Sequence, residues 1–148
     1  MSARSVVLFA VVGIPTLLYL GAPLGERKEY ESRIHAPETA ALRNLQMINT
    51  AQVQYYSQFG RYARSLSELG PSASGLIPPD LAAGERQGYK FTLTGTAEGY
   101  SIQAVPTVFG STGSRTFYAD QSLILRENYG PQPATANSKE VGSAAKHK

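Results

Sequence analysis

Hydrophobic positions fall into three regimes along the chain. The first is a run from Val6 to Leu24, 19 residues without a charged side chain, closed by Arg4 before it and Glu26-Arg27-Lys28-Glu29 after it. As a helix rising ~1.5 Å per residue it covers ~28 Å, close to the ~30 Å hydrocarbon core of a bilayer. Pro15 and the Gly/Pro pairs disfavour a soluble helix but are tolerated in membrane spans. The pattern predicts a transmembrane helix over 6–25, with Val6, Leu8, Phe9, Val12, Ile14, Leu17, Leu18 and Leu20 as anchor side chains. A cleaved secretion signal shares the basic start and apolar core. Its best small-residue site, Leu20-Gly21-Ala22, is followed by Pro23, which is a poor residue after a cut. A retained anchor fits better, and a buried soluble helix is the remaining alternative.

The second regime has the helical period. From Lys28 to Phe59, residues Ala41, Leu45, Ile48, Gln52, Tyr55 and Phe59 recur at spacings of three and four, flanked by Leu42 and Tyr56. Leu45, Ile48, Tyr55 and Phe59 are the expected core stripe, and Gln52 is its one polar member. Pro37 either opens a helical segment, with Glu38 favouring its N-terminus, or kinks a continuous helix. Gly60 is a natural stop. If the two helices are continuous they form a rod of ~50 residues, on the order of 80 Å.

A stripe of this kind needs a covering layer, and the third regime supplies one. Ser65–Leu69 and Pro79–Ala83 read as short helical turns, ended by Gly70-Pro71 and Gly84. The period then becomes two over Tyr89–Thr94 and Tyr100–Val105, joined by a turn at Thr96–Gly99. Pro106–Ser114 is a Gly/Ser/Thr loop, expected to be flexible. Thr116–Ala119 and Leu123–Arg126 form a second strand pair about Asp120-Gln121-Ser122. The expected fold is α+β, a long N-terminal helix, membrane-spanning in its first half, packed on a four-stranded antiparallel sheet. The globular domain is placed at 26–129. Residues 130–148, rich in Pro, Ala, Ser, Asn and Lys, are expected to form a flexible tail.

Composition narrows the chemistry. There is no cysteine, hence no disulfide, no thiolate and no lipoprotein signal. The net charge of +3 is mild and its lysines and arginines are scattered, without the clustered cations and stacking aromatics of a nucleic-acid face. His35 and His147 have no partners at metal-ligand spacing. Asp80 and Asp120 both lie in turns, Asp120 as a turn former, and two lone aspartates do not make a calcium site. Gly110–Ser114 lacks the lysine of a phosphate-binding loop and opens no helix. No enzyme and no cofactor are expected. Tyr55, Tyr56, Tyr62, Tyr89, Tyr100, Tyr118 and Tyr129 suit either the edge of a helix–sheet core or an interface.

In the order of these parts the chain resembles the type IV pilins and the major (G-type) pseudopilins of type II secretion. The stretch AALRNLQMINTAQVQYYSQFGRY, Ala40 to Tyr62, is similar to a run found in that family. GYKFTLTG, GYSIQAVP and RTFYADQSLILREN look like its sheet, and the resemblance covers about Val6 to Asn128. Aligned without gaps, the family's first mature residue falls on Val6 and Met1–Ser5 looks like a short leader. The family's leader-ending glycine is here Ser5, its first aromatic or methionine is Val6, its glutamate is Ala10, and its proline near the end of the span is Arg27. An intramembrane carboxylate is costly and is kept for a function; in pilins it is taken to register one subunit on its neighbour's amine, which Ala10 cannot do.

The resemblance implies a structural subunit of a pilus or secretion pseudopilus. Its partners would be the lipid bilayer and other protein subunits met through the N-terminal helix. It would sit in a bacterial cytoplasmic membrane as a single-pass protein, with its globular domain periplasmic or extracellular. The lost glycine and glutamate favour a different use, as an accessory subunit of a respiratory, photosynthetic or transport complex. A soluble carrier released by signal cleavage is a third possibility.

Overall fold

Helix α1 runs unbroken from Leu24 to Phe59, 36 residues, in the computed structural model, which describes residues 24–143. The helix continues through Pro37 rather than starting at it. Gly60, at φ +69, accepts the left-handed conformation that ends it, and its N–H closes on the Tyr56 carbonyl at 2.8 Å. Two single-turn helices follow, α2 (Leu66–Leu69) and α3 (Pro79–Ala82), where short turns were expected. Ser65 makes no side-chain cap on α2. Glu68 instead reaches back to the Arg64 N–H at 2.8 Å and takes the Arg61 guanidinium at 3.1 Å.

That backbone bond to Arg64, with the Arg61 bond behind it, outweighs burial and holds the Glu68 carboxyl below its usual value. A carboxyl depressed on folding contributes stability that is present above its unfolded value and is lost as pH falls through the folded one. Glu68→Gln is therefore expected to flatten part of the loss of stability between about pH 5 and pH 3. Denaturant midpoints of both proteins across that window check it; parallel curves would count against the assignment.

The sheet has six antiparallel strands in sequential order: β1 (Glu85–Arg86), β2 (Tyr89–Gly95), β3 (Tyr100–Pro106), β4 (Arg115–Asp120), β5 (Arg126–Tyr129) and β6 (Lys139–Glu140). Alternation decides which face meets the helix. Tyr89, Phe91 and Leu93 on β2 are buried, with Lys90, Thr92 and Thr94 exposed between them. The register aligns Phe91 with Ala104 and Phe117, and Leu93 with Ile102 and Ala119. With Ala41, Leu45, Ile48, Ala51 and Tyr55 of α1 these rows form one core, closed at one end by Leu66, Leu69, Ile77 and Leu81.

The expected fold needs correction in both of its layers. The sheet has six strands, not four. The helix is not membrane-spanning in its first half: α1 begins at Leu24 and carries Glu26, Arg27, Lys28, Glu29, Glu31 and Arg33 there. Among the described residues no helix is long and apolar enough to cross a membrane. The predicted anchor residues Val6, Leu8, Phe9, Val12, Ile14, Leu17, Leu18 and Leu20 lie outside the described residues, as does His147.

The last hairpin also differs. Asp120 accepts the Ser122 N–H at 2.9 Å, and Leu123 turns into the left-handed region at φ +64. This takes residues 123–125 out of the ladder, so the strand starts at Arg126 and not at Leu123. The stretch expected to begin a flexible tail at 130 is instead laid across the outer face of the sheet. Thr116 Oγ1 donates to the Gln132 carbonyl at 2.7 Å, Asn128 Nδ2 donates to the same carbonyl at 3.0 Å, and Ala134 is fully buried. Composition measures how much side chain a segment can bury, and this one is held mainly through its backbone carbonyls.

Candidate interaction surface

The long helix has to be fixed to the sheet before its outer face can present anything. Two buried attachments do this, and a third ties the helix to the loop that follows it. In its first half, Glu38 is fully buried and receives the Ser114 N–H at 2.8 Å and hydroxyl at 3.0 Å. Its other oxygen receives Arg115 Nε at 2.9 Å and NH2 at 2.8 Å, while Arg115 NH1 donates to Glu127 at 2.6 Å. Burial works against the Arg115 charge, but the two carboxylates outweigh it and hold the guanidinium above its ordinary value. The same guanidinium lies over the rings of Phe117 and Tyr129, at 5.2 and 5.7 Å. His35 Nδ1 is 3.6 Å from Glu38 on the solvent side, with its side chain mostly exposed.

Beneath this network the Tyr89 hydroxyl donates to the Arg115 carbonyl at 2.8 Å. Gly113 packs directly on that phenol, where any Cβ would clash. In the middle of α1, Asn49 accepts from the buried Tyr100 hydroxyl at 2.9 Å. Burial holds both phenols well above the ordinary tyrosine range, with Glu38 adding to the effect on Tyr89 and Tyr62 to that on Tyr100, so both act as neutral donors. Near the end of α1, Gln52 accepts the Ala63 N–H at 2.8 Å and donates to the Ala63 carbonyl at 2.9 Å.

Of the expected core stripe, Leu45, Ile48 and Tyr55 are brought together in the core. Phe59 is corrected: it is 54% exposed, with its ring against Tyr55 at 4.4 Å. It falls one turn past the sheet, where nothing covers it. The tyrosines divide in the same way. Tyr55, Tyr89 and Tyr100 are buried, whereas Tyr56 and Tyr129 are exposed.

The outer face of α1 is the unusual surface. A solvated helix face is normally charged. Between Arg43 and Arg61 this helix has no charged residue at all, and its exposed side shows Gln46, Met47, Thr50, Val53, Gln54, Tyr56 and Ser57. The surface continues onto the 121–125 turn, equally uncharged, where Leu123 and Ile124 are exposed. Gln46, Asn49, Thr50, Val53, Gln54 and Leu123 line an open, mainly apolar cleft of about 310 Å³. Charge depletion with exposed Met and Tyr is the composition of a protein interface core. Residue spacing alone locates the inner stripe; the absence of charge from Asn44 to Gly60 is the signal that would have found this outer one. No signal in the sequence pairs Glu38 with Arg115, 77 positions apart.

Among the described residues no group of three acidic or histidine side chains is placed to hold a metal ion. The arrangement can bind a protein surface through amide hydrogen bonds and apolar contact. No family model, no curated protein and no solved structure matches the chain.

Proposed function

We propose that this chain is a non-enzymatic, membrane-anchored structural subunit of a pilus or type II secretion pseudopilus. The outer face of α1 would be the surface that meets neighbouring subunits outside the membrane. The observation that carries the reading is this uncharged, partly apolar face on a helix fixed to its sheet through Glu38 and Asn49. The resemblance of Ala40–Tyr62 to the pilin run supports it. A second reading, an accessory subunit of another membrane complex, is favoured by Ser5 and Ala10 in place of the family's glycine and glutamate.

The intact mass of the native protein from washed membranes separates the two. A chain starting at Val6, especially with an added methyl, is the filament result. A chain retaining Met1 or Ser2 points to the accessory subunit. Absence from washed membranes would sink both. The face itself is tested by Thr50→Glu, which puts a charge at its centre. Being exposed, the change is expected to leave the denaturation midpoint nearly unaltered, within about 0.5 kcal/mol, while weakening co-migration with neighbours on a native gel of detergent-solubilised membranes. Unchanged co-migration would remove this face from the interface.

A further inference from the structure

We propose that the 107–114 loop of one copy of this chain inserts Val108 and Phe109 into the helix-side cleft of a second copy, making a head-to-tail contact. This rests on the structural-subunit reading and names its partner. Three observations carry it. First, Val108 and Phe109 are 50% and 44% exposed at the tip of a loop that is not loose. The Ser111 and Thr112 N–H groups close on the Val108 carbonyl at 3.0 and 2.9 Å, and Gly110 N–H closes on the Gly113 carbonyl at 2.8 Å. Thr107 N–H and hydroxyl tie its base to the Gly88 carbonyl. The expectation of a flexible loop is thereby corrected: the apolar pair is held out on a hydrogen-bonded turn, and such preorganisation lowers the entropic cost of binding.

Second, the cleft is large enough. At about 310 Å³, with Val53 and Leu123 in its lining, it has room for one aromatic and one aliphatic side chain. Leu123, held at φ +64 with half its surface exposed, is an unfavourable placement for a leucine that has no partner. Third, the charges agree. Copies of a chain of net charge +3 repel one another. Knob and cleft avoid this, because no charge occurs between Glu98 and Arg115, between Arg43 and Arg61, or between Asp120 and Arg126.

The two parts cannot meet within one molecule. Ser114 ties the loop to α1 at Glu38, and the cleft centres on Thr50, about 18 Å further along the helix. The contact is therefore made between copies, and the head-to-tail form of it can repeat from copy to copy.

The chain has no cysteine, so engineered thiols report cleanly. Full-length Phe109→Cys and Val53→Cys variants are mixed in native membranes and oxidised. The mixture is expected to give at least about tenfold more crosslinked dimer than Phe109→Cys mixed with Glu98→Cys in the β2–β3 turn, and the double variant a ladder. Phe109→Ser is expected to weaken association about tenfold, as for loss of one aromatic anchor, with its denaturation midpoint unchanged. Crosslinks only between like variants, no crosslink in a chain that still runs as an oligomer or complex, or unaltered association of Phe109→Ser would each overturn the knob-in-cleft contact and leave the subunit reading standing. A chain that sediments as a monomer from solubilised membranes would overturn both.

Discussion

Replacing Arg115 by methionine is expected to cost about 3 kcal/mol or more, a large part of the roughly 5–15 kcal/mol that holds a small domain. The reason is the order of burial. Glu38 is fully buried and the Glu127 side chain is 4% exposed, so neither can turn to water when the guanidinium is removed. Removing one partner from a buried network costs far more than the network contributes against an apolar alternative. Two charges on adjacent elements would be left facing each other, and the rings of Phe117 and Tyr129 would lose the cation above them. The attribution is checked by a second change. Glu38→Gln in the Arg115→Met background removes one orphaned charge and should recover more than about 1 kcal/mol of the loss, which additivity forbids for independent sites. Chemical denaturation of the four full-length proteins in detergent measures this. An Arg115→Met protein within about 1 kcal/mol of the parent would mean that the three charges are not the attachment they look to be.

This attachment also shows where reading the sequence stops. Spacing placed Leu45, Ile48 and Tyr55 on one face because the helical period is local. The β2 and β3 alternation was legible for the same reason, and so was the turn at Thr96–Gly99, whose Thr96 N–H bonds to the Gly99 carbonyl at 2.8 Å. The two-residue strands β1 and β6 carry no period to detect. Glu38 was visible only as an acid near a possible helix start; its partners Ser114 and Arg115 lie 76 and 77 positions away, at the start of β4. Phe59 fits the period yet misses the core, because a helix can outrun the sheet that covers it. Leu123-Ile124-Leu125 has the composition of a strand. The side chain of Asp120 overrides it by fixing the turn beyond: Leu123 and Ile124 are left outside, Leu123 lining the cleft, while Leu125 packs against the core. The outer face was legible in principle, as a missing property of Asn44–Gly60 rather than a pattern, and a search for hydrophobic period passes over it.

Gln52 is the position where the period was read correctly and its polar member needed a reason. Gln52→Leu keeps the size and the apolar stripe, and hydrophobicity alone predicts that it stabilises. The opposite is expected, a loss of about 2–4 kcal/mol, from leaving two buried backbone groups without partners at about 1–3 kcal/mol each. The Gln52 amide is fully buried and satisfies both the N–H and the carbonyl of Ala63, itself fully buried where the chain turns back after Gly60. The following residue, Arg64, offers its carbonyl to Gly95 at the end of β2 at 3.3 Å, so the Ala63 clasp ties the end of the helix to the end of a central strand. Gln52→Glu sharpens the test: it keeps an acceptor for the Ala63 N–H but turns the donor facing the Ala63 carbonyl into a second acceptor, and should also be destabilised. Denaturant midpoints decide the sign, and amide exchange at Ala63 decides the location, since the protection there should fall further than at Ile102 in the sheet centre. A Gln52→Leu protein more stable than the parent would mean that the stripe is purely apolar and that Ala63 finds other partners. The outer face of α1 would then be presented by a helix held at Glu38 and Asn49, with its last turn free to move against a neighbour.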